Sequence, residues 1–135
     1  VEFDRWRAAA DRTARAAEAQ RNAGFWEWAC FLAEQAAQLG VKGLLHGIGA
    51  PAWGHDLAAL EREVAERVGT DWPAGAARDA ELLSRFYLTT RDPDAVPGGV
   101  PGERFTADDA TDALAATQRL LAGVDRAWAE LEDDR

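Results

Sequence analysis

The sequence predicts an all-α protein, an up-down bundle of four or five helices. Three observations carry that prediction. Apolar residues recur in steps of three or four along five separate stretches, the spacing of one helix face. Most of the glycines and prolines fall between those stretches. No alternating run of strand type and no internal repeat occurs. At 135 residues the chain is expected to form one domain, residues 1–135. A chain of this size buries roughly two-thirds of its unfolded surface, enough for a self-sufficient core.

The first helix is expected over residues 3–22, with Phe3, Trp6, Ala10, Ala14 and Ala17 in line and a stop at Asn22 and Gly24. The second, residues 25–48, is the most apolar and organises the rest. Phe25, Trp28, Leu32, Ala36, Leu39 and Gly43 form one face, and Phe31, Leu45 and intervening alanines widen it. A helix apolar on more than one face needs more than one neighbour. Gly40 and Gly43 each cost up to ~1 kcal/mol against Ala in a helix interior. One turn apart, they predict close approach of another backbone.

The third helix is expected over residues 55–68, with Asp56 placed to cap it and Leu57, Leu60, Val64 and Val68 in its stripe. The fourth spans residues 74–87, with Ala76, Ala80, Leu83 and Tyr87 on one face. Residues 88–105 hold three prolines and three glycines without periodicity. Such long loops are usually functional or mobile. Thr106 and Asp109 then resemble a capping box before the fifth helix, residues 107–132. Its stripe, Ala110, Leu114, Thr117, Leu121, Val124, Trp128 and Leu131, is the most regular in the chain. It is expected to offer apolar surface to a second copy.

Charge and composition exclude several function classes. The net charge is −9, and eight acids against three arginines sit after residue 106. A surface this acidic opposes non-specific nucleic-acid binding, which depends on displaced counterions, but leaves a local arginine-lined site open. Cys30 is the only cysteine, so no disulfide framework exists, and a reducing, cytoplasmic compartment is expected. Cys30 itself reads as a small buried hydrophobe. The first twenty residues are charged throughout and do not read as a signal peptide. Glu27, Glu34 and Lys42 interrupt the most apolar stretch, so no membrane span is expected.

His46 and His55 are the only histidines. With no HExxH and no CxxC, no metal site is expected. Phosphate-loop, dinucleotide and nucleophile-elbow motifs are absent too, so no cofactor is expected and no catalytic residue is assigned. Trp6, Trp28 and Trp128 lie on helical stripes and are expected in the core. Trp26, Trp53 and Trp72 lie off the stripes and are interface candidates.

The distinctive segment is RFYLTTRDPDA, residues 85–95. Arg85 and Arg91 flank Tyr87, Thr89 and Thr90, and two guanidiniums beside hydroxyls can grip a phosphate bidentately. The alternative is local ion pairing, Arg85 with Glu81 and Arg91 with Asp92 or Asp94. A helix C-terminus disfavours an anion, so the arginines themselves would have to hold it.

Three pieces in order resemble the HEPN domain family of small helical domains: AEQAAQLGVKGLL (Ala33 to Leu45) with its internal Lys42, the His55-Asp56-Leu57 helix start with Leu60, and RFYLTTRDPDA. The resemblance covers nearly the whole chain. It implies a four- or five-helix bundle that dimerises, often beside a minimal nucleotidyltransferase in a toxin–antitoxin or nucleotide-handling pair. Catalytic members cut RNA without metal, using an Arg and a His with four to six residues between them. No such pair occurs here: the residues at that spacing before His46 are Leu39, Gly40 and Val41, and before His55 they are Ile48, Gly49 and Ala50.

The expected function is therefore a non-catalytic binding module, a homodimer that engages a nucleotide, RNA or a nucleotidyltransferase partner. The candidate phosphate-binding residues are Lys42, Arg85, Arg91, Tyr87 and Thr90, supported by His55, Asp56, Asp92 and Asp94. The alternatives are a metal-independent RNase toxin using a displaced His55, and a purely structural dimerisation domain.

Overall fold

The computed structural model describes residues 2–89 and 98–134. It is all-helical: α1 Glu2–Asn22, α2 Trp26–Gly47, α3 Leu57–Val68, α4 Ala76–Ser84, the single-turn α5 Phe86–Thr89, and α6 Ala107–Asp133. Single 3₁₀ turns at Gly69–Asp71 and Pro101–Glu103 complete it, and no strand occurs among the described residues. The helix of the fourth stripe breaks at Arg85, which is a turn, and α5 restarts it at Phe86.

Helix α2 is the centre, with α1, α3 and α6 packed around it. Leu44 and Leu45 are fully buried, but most of its deepest residues are small. Ala29, Cys30, Ala33, Ala36, Ala37, Gly40 and Val41 are fully or nearly fully buried, while Phe25 and Trp28 are 53% and 44% exposed. Leu32 and Leu39 are half-buried. Of the expected core face, Ala36 and Gly43 are buried, but its N-terminal members Phe25 and Trp28 lie at the solvent edge. The reason is the small-residue seam with α1, where Ala10, Ala14 and Ala17 are buried. Alanines and glycines let the two helices approach closely and push the bulky side chains to the flanks.

The internal glycines belong to that packing. A methyl at Gly40 would run into Leu121 of α6, and one at Gly43 would lie 2.6 Å from Trp6 Cβ. Both neighbours are side chains on α1 and α6, with the Arg7 backbone nitrogen 3.7 Å from the second site. Gly47 likewise faces the Trp128 ring, 2.5 Å from an added methyl.

Helix α6 has the capping box expected of it. Thr106 Oγ1 accepts from the Asp109 N–H at 3.2 Å, and Asp109 Oδ2 accepts from the Thr106 N–H at 2.9 Å. Two orphan donors at the helix start are satisfied reciprocally. Its regular stripe is spent inside the fold. Ala110, Leu114, Thr117, Leu121 and Val124 are buried, and Trp128 stacks on Phe3 at 4.5 Å. That corrects the expectation of a dimer surface on this stripe, since the face is covered by α1, α2 and α4. Thr117 Oγ1 donates to the Ala33 carbonyl at 2.7 Å, and Arg7 grips Asp125 through two bonds of 2.8 and 3.1 Å.

Trp72 is also corrected. It is 8% exposed and donates its indole N–H to buried Glu61 at 2.8 Å, so it is a core residue, not an interface residue. Trp26 packs half-buried against the core, whereas Trp53 is 85% exposed. Burial pushes the Cys30 thiol up to about 12, helped by the nearby carboxylates of Asp109, Glu27 and Asp112. An inert thiol is what such a site produces. No described helix is long and apolar enough to cross a membrane.

Candidate functional site

Polar residues recur on α2 at Glu34, Gln38 and Lys42, one helical turn apart, on a helix that is mostly apolar. Glu34 is completely buried. A buried carboxylate must be hydrogen-bonded to be tolerable, and two amides meet that demand. Gln35 Nε2 donates to Glu34 Oε1 at 2.7 Å, and Gln38 Nε2 donates to Glu34 Oε2 at 2.5 Å.

Gln38 passes the network on to the start of α3. Its Nε2 also donates to the His55 carbonyl at 3.1 Å, and its Oε1 lies 3.3 Å from His55 Nδ1. With both amide hydrogens of Gln38 directed at oxygens, its Oε1 is the acceptor. His55 Nδ1 is therefore the donor, and in the neutral ring Nε2 carries no proton. The His55 ring stacks on Tyr87 of α5, centroids 5.5 Å apart and planes within 13°. Asp56 caps α3, its Oδ1 accepting from the Ala59 N–H at 3.2 Å. Ser84 Oγ accepts from the Ala58 N–H at 3.2 Å, tying the end of α4 to the start of α3.

Lys42 is half-buried one turn beyond Gln38. Burial lowers its pKa from the ordinary 10.5, and the Glu34 charge partly offsets this. The edge between α2, the start of α3 and α5 thus presents a fixed aromatic pair, with Lys42 one turn past Gln38 on α2. Trp53 stands two residues before His55 in the same turn.

The structure joins His55 and Tyr87 at this edge, ties His55 to Glu34 through Gln38, and gives Asp56 a capping role; Lys42 follows Gln38 by one turn on α2. Arg85 is exposed and lines a different groove, with Arg78, Asp79, Glu81, Leu82 and Arg119. Lys42 is not among the residues that line it. Thr90, Arg91, Asp92 and Asp94 lie outside the described residues. Sequence reasoning missed Glu34 and Gln38. The signal was their spacing with Lys42, at i, i+4 and i+8 on an apolar helix. Among the described residues no group of three or more side chains could hold a metal ion.

Comparison with known proteins bears on this arrangement. The HEPN domain model matches residues 3–127. The solved structure of TT1696 from Thermus thermophilus is 34% identical, with a TM-score of 0.87, covering 93% of this chain and 97% of that one. ST0689, an archaeal HEPN homologue, is 32% identical with a TM-score of 0.76, covering 91% and 94%. A HEPN domain protein from Thermotoga maritima, tm0613, is 26% identical with a TM-score of 0.70, covering 90% and 94%. No functionally curated protein matches the chain.

Proposed function

We propose, given that the chain belongs to the HEPN domain family, that it is a non-catalytic binding module for a nucleotide or a short RNA segment. The ligand sits at the edge formed by Lys42, His55 and Tyr87. The observation that carries this is the His55–Tyr87 stack, its His55 ring tied to the buried Glu34–Gln38 network, with Lys42 one turn further along α2 of an acidic protein. Aromatic faces accept any nucleobase by stacking, worth ~1–3 kcal/mol per base. Lys42 supplies charge for a phosphate, and exposed Trp53 offers a further stacking face.

In this reading the chain forms a homodimer in the cytoplasm and works beside a nucleotidyltransferase in a toxin–antitoxin type pair. Isothermal titration with ATP, AMP and a short oligouridylate tests the ligand. Binding that Tyr87→Ala and Lys42→Ala both weaken supports the reading, and no heat with any of the three overturns it.

A second reading, a metal-independent RNase, is favoured by the His55 tautomer. In the neutral ring the hydrogen bond from Nδ1 to Gln38 leaves Nε2 without a proton, the form a general base requires. Cleavage of total RNA that is lost in His55→Ala supports it, and RNA left intact by the wild type overturns it.

A further inference from the structure

We infer that the seam between α4 and α6 is a second binding site, one that takes a linear chain of phosphates. This goes beyond the edge at His55 and Tyr87 and stands on different residues.

Two adjoining grooves run along the seam and share the Asp79–Arg119 pair. The larger, about 640 Å³, is lined by Arg78 and Arg85 of the α4 side with Arg119 of α6. The smaller, about 270 Å³, extends past Arg119 to Arg126. Four guanidiniums therefore face the seam against the carboxylates of Asp79 and Glu81, on a chain whose net charge is −9.

The pair at the centre is built to hold its shape. Asp79 is 7% exposed and accepts two parallel bonds from Arg119, Nε at 3.0 Å and Nη2 at 2.9 Å. The fork fixes the guanidinium plane and neutralises the buried carboxylate, while the Arg119 side chain remains 61% exposed. Asp112 also adds negative potential at Arg119. Arg78 and Arg126 make no ion pair among the described residues. Arg78 and Arg85 are seven residues apart on one side of the seam, roughly 10 Å at 1.5 Å rise per residue. Charges spread over that length match an extended polyanion better than a single phosphate. Phosphate oxyanions are the chemistry that planar, multi-donor guanidiniums recognise. The source is either a polyphosphate, free or on a nucleotide, or the backbone of a single-stranded oligonucleotide.

The experiment titrates the full chain with tripolyphosphate, ATP and dodecauridylate. It compares wild type with Arg78→Gln/Arg85→Gln and with a control, Arg5→Gln/Arg62→Gln, that removes the same charge elsewhere. The groove variant is expected to weaken binding at least tenfold, and the control less than twofold. With dodecauridylate, the negative slope of log K against log salt should shrink in magnitude by about 1.4, since each neutralised phosphate contributes ~−0.7 for single strands. Tripolyphosphate binding that persists in Lys42→Ala and Tyr87→Ala separates this site from the aromatic edge. Binding of tripolyphosphate or ATP assigns a polyphosphate, and binding of dodecauridylate alone assigns a backbone. No binding of any probe to the wild type, or equal losses in groove variant and control, overturns the inference.

Discussion

Glu34 and Gln38 connect the core of this protein to its surface chemistry. Removing Gln38 deletes a buried hydrogen bond to the Glu34 carboxylate and releases His55 from its orientation. A hydrogen bond to a charged group contributes about 1.5–3 kcal/mol. Gln38→Ala should therefore lower the urea midpoint by that equivalent, and an unchanged midpoint would show the network to be idle. Lys42 makes a pH-dependent prediction. Its folded pKa lies below 10.5, chiefly through burial. Between the folded and unfolded values the unfolded chain binds more protons, so stability rises with pH in that window. Below it, the protonated lysine burdens the fold. Lys42→Met should thus be more stable than wild type near pH 8, with the gap in denaturation midpoint narrowing towards pH 10.5. A gap that widens with pH would refute the assignment. Lys42 and Asp56 were legible in the sequence because each breaks a local pattern. The Glu34–Gln38 network was not, because burial of a polar side chain depends on which neighbour covers it.

Among the elements, the helices were legible and their facing was not. Periodicity finds a helix, but on α2 nearly every position is apolar or small, so no stripe stands out. The α1 seam decided the matter through residue size, placing alanines and glycines inside and Phe25 and Trp28 outside. Gly40 tests this packing directly. A methyl there meets Leu121, and overpacking a filled core costs typically ~1–3 kcal/mol. Gly40→Ala should destabilise the fold by about that amount, despite alanine's better helix propensity. If thermal denaturation shows Gly40→Ala to be as stable as wild type, the close approach of α2 and α6 is wrong. On α6 the capping box and the stripe were both readable, because a cap and a heptad-like repeat are local patterns. What the stripe packs against was not local, and it proved to be the core.

At the scale of the molecule, the face left for self-association is the outer flank of α1 and α2. Phe25, Trp28 and Leu32 line a shallow groove of about 320 Å³ with Gln20, and Trp28 meets Phe31 edge-on at 6.1 Å. Exposed aromatic side chains grouped in one place are characteristic of protein contacts. We place the proposed dimer there. Light scattering should give a dimer for the wild type at micromolar concentration and a monomer for Phe25→Glu/Trp28→Glu. A monomeric wild type, or a dimeric double variant, would dispose of that interface. The acidic surface bears on function at this scale as well. A chain with net charge −9 repels nucleic acid except where arginine or lysine gathers, and the proposed α4–α6 seam is one such place.

The most direct test of the central claim is the affinity of the full chain for a nucleotide or short oligouridylate, measured by titration calorimetry in wild type and Tyr87→Ala. Loss of one stacking face is worth ~1–3 kcal/mol, so Tyr87→Ala should bind roughly 5- to 150-fold more weakly with its fold intact. Equal affinities in the two proteins, or no binding by the wild type, would contradict the account.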